Sequence, residues 1–132
     1  MKKHTLKQSL ALIGWEVTTF PNGITEAFDR LMKTAPDGMQ RDYYGVSRME
    51  SGKIRYWVMT SDTGAWPKGT FVRITVPAGD YAIAELKDWR HKLDQVSGLF
   101  EQLLMEVKPS GPVYCLEWYF AQDAMWCMVP VV

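Results

Sequence analysis

Glu117 is the residue of this chain best placed to do chemistry. It lies in the run Tyr114-Cys115-Leu116-Glu117-Trp118-Tyr119-Phe120, a lone carboxylate among rings, and Met125-Trp126-Cys127-Met128 follows after a short turn. Taking a carboxylate out of water is costly unless a positive charge or a set of donors meets it. An organic cation meets that need. It neutralises the carboxylate, and each indole or phenol face adds cation–π attraction of about 0.5–2 kcal/mol. A quaternary or delocalised cation suits such a place best, because it is weakly hydrated and apolar over most of its surface. The plain alternative is a glutamate on a solvated strand face, and the aromatic and thioether neighbours argue against it.

The elements that must hold these residues can be read from periodicity and turn signals. Residues 6–20 read as a strand closed by Pro21-Asn22-Gly23, and Ile24, Phe28, Leu31 and Met32 then follow helical spacing until Pro36-Asp37-Gly38. Two extended runs, 43–49 and 54–60, form a hairpin across Glu50-Ser51-Gly52-Lys53. A turn-rich link at 62–69 leads to a further strand region, 71–86, broken at Pro77-Ala78-Gly79-Asp80. Helical spacing returns with Val96, Phe100, Leu103 and Leu104 and ends near Pro109-Ser110-Gly111. Strands at 113–120 and 125–131 close the chain around Ala121-Gln122-Asp123-Ala124.

The order strand, helix, strand, strand thus occurs twice. The helix positions Ile24, Phe28, Leu31 and Met32 match Val96, Phe100, Leu103 and Leu104 at a constant shift of 72, and Trp57-Val58-Met59 echoes Trp126-Cys127-Met128. The expected fold is α+β. It has two pseudosymmetric β-α-β-β repeats, at about 6–60 and 70–131 of a single domain, an antiparallel sheet with the helices on one face, and a ligand cleft where the repeats meet.

Strand parity sorts the hairpins by face. With Gln122 and Asp123 as the turn tip, Glu117 is expected opposite Met128 and Trp118 opposite Cys127. Cys115, Glu117, Tyr119, Trp126, Met128 and Pro130 then share the pocket face. Tyr114, Leu116, Trp118, Phe120, Met125, Cys127, Val129 and Val131 lie beneath the helices. The first hairpin, sorted about Ser51 and Gly52, adds Tyr44, Val46, Arg48, Arg55, Trp57 and Met59 to the pocket face, with Tyr44 as the counterpart of Glu117. The two cysteines are expected to point to opposite faces and to remain free thiols.

Composition excludes several function classes. A chain of 132 residues with 47% hydrophobic and 23% charged residues can build a core, so it is neither disordered nor in need of disulfide staples. Fifteen basic residues cancel fifteen acidic ones, so no general pull on nucleic acid is expected. The charged start Met1-Lys2-Lys3-His4 has no apolar segment behind it and no stretch approaches a membrane span, which gives a cytoplasmic expectation. His4 and His91 lack partners at metal-ligand spacing, no Gly-x-Ser-x-Gly elbow or phosphate loop is present, and no cofactor is expected. The mixed charges of Asp88, Arg90, His91, Lys92 and Asp94 read as a solvated approach to the second helix.

Val76-Pro77-Ala78-Gly79-Asp80-Tyr81-Ala82, Glu117-Trp118-Tyr119 and the closing Met128-Val129-Pro130-Val131 resemble the hallmarks of the GyrI-like, or effector-binding, domain family. That domain occurs in the gyrase-inhibitor protein and in multidrug-sensing MerR-type and AraC-type regulators. The resemblance runs from Leu6 to Val131, and the tryptophan count and length are also similar to a stand-alone integron-cassette module that binds cationic drugs. It implies a pseudo-twofold fold around a cleft for lipophilic, often cationic, aromatic compounds. The family's buried acid falls on Glu117 and its following tyrosine on Tyr119, while Trp89 stands where relatives carry a different wall and becomes a candidate lid. The expected ligand set is Glu117, Tyr119, Tyr44, Trp57 and Trp126, with Met59, Met128 and Trp89 as adaptable packing. The resemblance leaves two alternatives open. One is a hydrolase of electrophiles in which Glu117 and Tyr119 activate water; the other is a module that contacts a protein partner, such as gyrase or a regulator.

Overall fold

The computed structural model describes residues 2–106, 114–119 and 124–131. Its elements are β1 (Lys2–Leu6), β2 (Leu10–Glu16), α1 (Ile24–Thr34), β3 (Tyr43–Glu50), β4 (Lys53–Ser61), β5 (Val72–Val76), β6 (Gly79–Lys87), α2 (Val96–Glu106), β7 (Cys115–Tyr119) and β8 (Ala124–Pro130). The eight strands form one antiparallel sheet in the order β1-β6-β8-β7-β3-β4-β2-β5. Fold class is therefore α+β, as the alternating pattern implied.

Connectivity requires the sheet to curl. Strand β5 lies six strand spacings from β6, yet only Pro77 and Ala78 join them; β1 lies equally far from β2 across Lys7, Gln8 and Ser9. Six spacings in a flat sheet measure roughly 29 Å, whereas a two-residue link reaches only about 11 Å between strand ends. The outer strands must fold toward each other. The concave face so formed carries a single apolar cluster drawn from every strand: Leu6 of β1, Leu12 of β2, Ile74 of β5 and Ile83 of β6 meet Val46, Met59, Leu116 and Met128 from the centre. Those four central side chains are fully buried without any helix above them. The run at 6–20 is thus two strands, not one. Leu6 and Leu10 both face the concave cluster, and the polar Lys7-Gln8-Ser9 between them carries the chain to the far edge.

Both helices pack on the opposite, convex face. Helix α1 starts after Gly23, whose φ of 89° suits a residue without a side chain, and seats Leu31 against Val17, Tyr43, Tyr56 and Val58. Helix α2 seats Leu103 against Ala82, Leu86, Met125, Cys127 and Val129. Between them lie β3 and β7, paired along the middle of the sheet.

The two hairpins obey the parity argument differently. In β3–β4, Ser51 and Gly52 have φ of 49° and 77°, the paired left-handed conformation of a two-residue turn, and the register is as expected: Tyr44 faces Met59 and Val46 faces Trp57. In β7–β8 the register is shifted by one residue. Glu117 faces Cys127 and Trp118 faces Trp126, with Leu116 opposite Met128. The expected turn tip, with Phe120, lies outside the described residues. A one-residue shift exchanges every side chain between faces. Tyr114, Leu116 and Trp118 therefore belong to the concave side with Trp126 and Met128, while Glu117, Tyr119 and both cysteines face the helices. The neighbour of Glu117 on β3 is Gly45, and Tyr44, expected on the same face as Glu117, pairs with Trp118 on the concave side.

Candidate functional site

Across the middle of the convex face runs one row of paired residues: Val58 on β4, Gly45 on β3, Glu117 on β7, Cys127 on β8 and Ala84 on β6. Gly45 and Cys127, which flank Glu117 on the neighbouring strands, are small, as is Ala84 beyond Cys127. Tyr56 reaches from β4, passing over Gly45 to donate its hydroxyl to Glu117 Oε1 at 2.7 Å. A methyl group at Gly45 would overlap both the Tyr56 hydroxyl and Glu117 Oε1. Tyr119, two residues along the same strand and so on the same face, donates to the same oxygen at 2.5 Å. Among the described residues no donor meets Oε2, and no Lys, Arg or His forms an ion pair with this carboxylate.

Aromatic rings pack against the two tyrosines that hold the carboxylate. Phe28 of α1 meets the Tyr119 ring edge-on at 5.5 Å, and Trp89, in a single helical turn before α2, meets it at 4.8 Å. Phe20, in the loop before α1, stacks on Tyr56 at 5.0 Å with an interplanar angle of 17°. These contacts fix the two phenol rings and so aim their hydroxyls.

Electrostatics follow from burial. Glu117 is half-buried on the convex face. Burial pushes its carboxyl above the usual range, and the hydrogen bonds from Tyr119 and Tyr56 pull it part of the way back. Burial, and then the charge of Glu117, hold the Tyr56 and Tyr119 hydroxyls well above ordinary phenols, so both stay protonated and donate. The Cys115 thiol is pushed up to about 11 by burial, and Cys127 is raised by burial and by the facing carboxylate. Both are free, though on one face rather than on two. Neither is a nucleophile at neutral pH.

Of the residues expected at the site, the structure brings Glu117, Tyr119 and Trp89 together. Tyr44, Trp57, Met59, Trp126 and Met128 lie on the concave side of the sheet, turned away from Glu117 by the register shift. Tyr56, Gly45, Phe28 and Phe20 were not singled out. The signal for two of them was present: a glycine inside a strand of large residues marks a close approach, and the first hairpin's parity already put Tyr56 on the face of Gly45. His91 bonds Asp88 at 2.7 Å on the surface, away from this cluster.

No family model matches the chain. No curated protein matches it in sequence either. Among solved structures, an integron cassette protein from the mobile metagenome of Vibrio cholerae, VCH_CASS2, superposes with a TM-score of 0.69 over 99% of this chain and 95% of that one, at 12% identity. At that identity the likeness is one of architecture, and this chain has the fold of that integron cassette protein.

Proposed function

We propose that this protein is a binding module for lipophilic organic cations, with the aromatic cleft over β3 and β7 as the binding place and Glu117 as the counter-charge. One observation carries the reading: a carboxylate between the two helices has one oxygen held by two tyrosines, and among the described residues no donor meets the other and no Lys, Arg or His forms an ion pair with it. A structural glutamate at such depth would be expected to have a basic partner or to be replaced by an apolar residue. The row of small residues leaves space, and Phe28, Trp89 and Tyr119 offer ring faces for a flat cation.

The reading includes two repeats. Outward from the β3–β7 ladder the strands run β4, β2, β5 on one side and β8, β6, β1 on the other, and each half places its helix over the convex face. The resemblance of Glu117-Trp118-Tyr119 to the GyrI-like domains supports the same assignment of the cleft. With no basic surplus in the chain, any output would pass through the bound compound or through another protein.

Fluorescence titration tests the reading, because Trp89 touches the site. Glu117→Gln is expected to weaken a cationic dye about tenfold or more, roughly the 1.4 kcal/mol of one good charge contact, and to leave a neutral dye of equal shape unchanged. Equal losses for both dyes would remove the electrostatic role. Turnover of an electrophile that needs both Glu117 and Tyr119 would replace binding by hydrolysis.

A further inference from the structure

The concave side of the sheet holds a second constellation with the chemistry of a cation site. Trp118 and Trp126 face each other across β7 and β8 and stand perpendicular, with centroids 5.6 Å apart and an interplanar angle of 88°. Two indoles at a right angle make two walls of a box. Tyr44 backs the first wall, stacked on Trp118 at 5.8 Å. Each indole is tethered by a carboxylate: Trp118 Nε1 donates to Asp42 Oδ2 and Trp126 Nε1 to Glu85 Oε2, both at 3.2 Å. An indole N–H that donates to an anion gains electron density on its ring, which strengthens its attraction for a positive charge. Neither Asp42 nor Glu85 forms an ion pair with a basic residue among the described residues.

The corner is occupied by the chain itself. His4, on the edge strand β1, places its imidazole 5.0 Å from Trp126 and 6.0 Å from Trp118, tilted about 60° to each. That is where a flat cation would lie. Among the described residues the imidazole makes no side-chain hydrogen bond, and its strand pairs on one side only, with β6. His4 is thus a weakly held occupant of a preformed aromatic corner.

We infer that this corner is a second site for flat organic cations, back to back with the Glu117 cleft through a single strand, which opens when His4 swings out. Asp42 and Glu85 supply the counter-charge, Trp118 and Trp126 the faces. The site stands on residues separate from the proposed cleft and does not depend on it.

N-methylquinolinium and its neutral counterpart 1-methylnaphthalene are the probes. Calorimetric titration of the Glu117→Gln protein, which lacks the other counter-charge, is expected to show saturable binding of N-methylquinolinium and little of the neutral compound. Adding Asp42→Asn and Glu85→Gln should weaken that binding about tenfold, and adding His4→Ala to the Glu117→Gln protein should tighten it by emptying the corner. In the unaltered chain, the His4 ring protons, shielded by two indoles, should move downfield in NMR spectra as the cation displaces them. A folded Glu117→Gln protein that binds no cation, indifference to the Asp42 and Glu85 changes, or His4 signals that stay fixed at saturation would each overturn the second site. If the Glu117→Gln chain does not fold, the His4 signals of the unaltered chain decide. Loss of all cation binding on Glu117→Gln with fixed His4 signals would leave the cleft standing alone; displacement of His4 with binding unaffected by Glu117→Gln would leave only the corner.

Discussion

Leu116 and Glu117 are adjacent in the chain, and the surfaces they enter are built on different principles. Leu116 enters a concave face where Val46, Met59 and Met128 close around it with no accessible surface. Glu117 enters a convex face where its cross-strand partners are the small Gly45 and Cys127, and where the covering helices stand to either side. The concave face holds one continuous apolar cluster, whereas the convex face holds two, one under each helix, and the charged group sits between them. The carboxylate needs only enough donors to be tolerated, and the two tyrosines supply them at one oxygen.

The contrast can be broken from either side. Leu116→Ala should have the largest effect, about 3 kcal/mol of stability by urea unfolding, because it leaves a cavity in a face that has no slack. Dye affinity per folded molecule should hardly change. Gly45→Ala should cost about 2 kcal/mol by overpacking and should also abolish the Tyr56–Glu117 bond, so that stability and cation binding fall together. If Gly45→Ala leaves cation binding intact, the clamp is not what prepares the carboxylate.

Tyr56→Phe removes one donor without adding bulk and should cost about 1 kcal/mol. It should also move the Glu117 titration, followed by the carboxyl carbon in NMR, further upward, because one of the two downward influences is gone. The smallest effect is a pH dependence of stability. The folded-state value of Glu117 is raised, so the folded chain binds a proton more tightly than the unfolded one. The associated stability is fully present below the ordinary carboxylate value of 4.5 and is lost as pH rises through the folded-state value. Cation binding should rise over the same window. Glu117→Gln should flatten both curves, and an unchanged pH profile in that variant would assign the effect to another group.

Much of the fold was legible because local chemistry specified it. Ser51-Gly52 dictates a two-residue turn, so β3–β4 could be paired residue by residue from the sequence. The helices follow from Ile24, Phe28, Leu31 and Met32 and from their counterparts around Phe100. The pairing of β7 with β8 was not legible, since Ala121-Gln122-Asp123-Ala124 contains no residue that demands one turn geometry, and a shift by one position still leaves an apolar face on both sides. That is why Glu117, Tyr119 and Cys115 were expected with Trp126 and Met128 on the face away from the helices, whereas they lie with Cys127 on the helix-covered face. The curl of the sheet was hidden for another reason. It arises from which edges the short links at 7–9 and 77–78 must join, a property of the whole chain that no local window contains.

Strand β1 opens the chain but hydrogen-bonds to β6, beside β8 and under the reach of α2, with Leu6 buried in the shared core. Trimming the leading residues by protease, or fusing a bulky tag to them, would accordingly loosen the carboxy-terminal half of the molecule while leaving the neighbourhood of α1 intact. Hydrogen exchange on such a shortened chain would show fraying begin some eighty positions downstream of the cut, at the amides that Lys2 through Leu6 had protected.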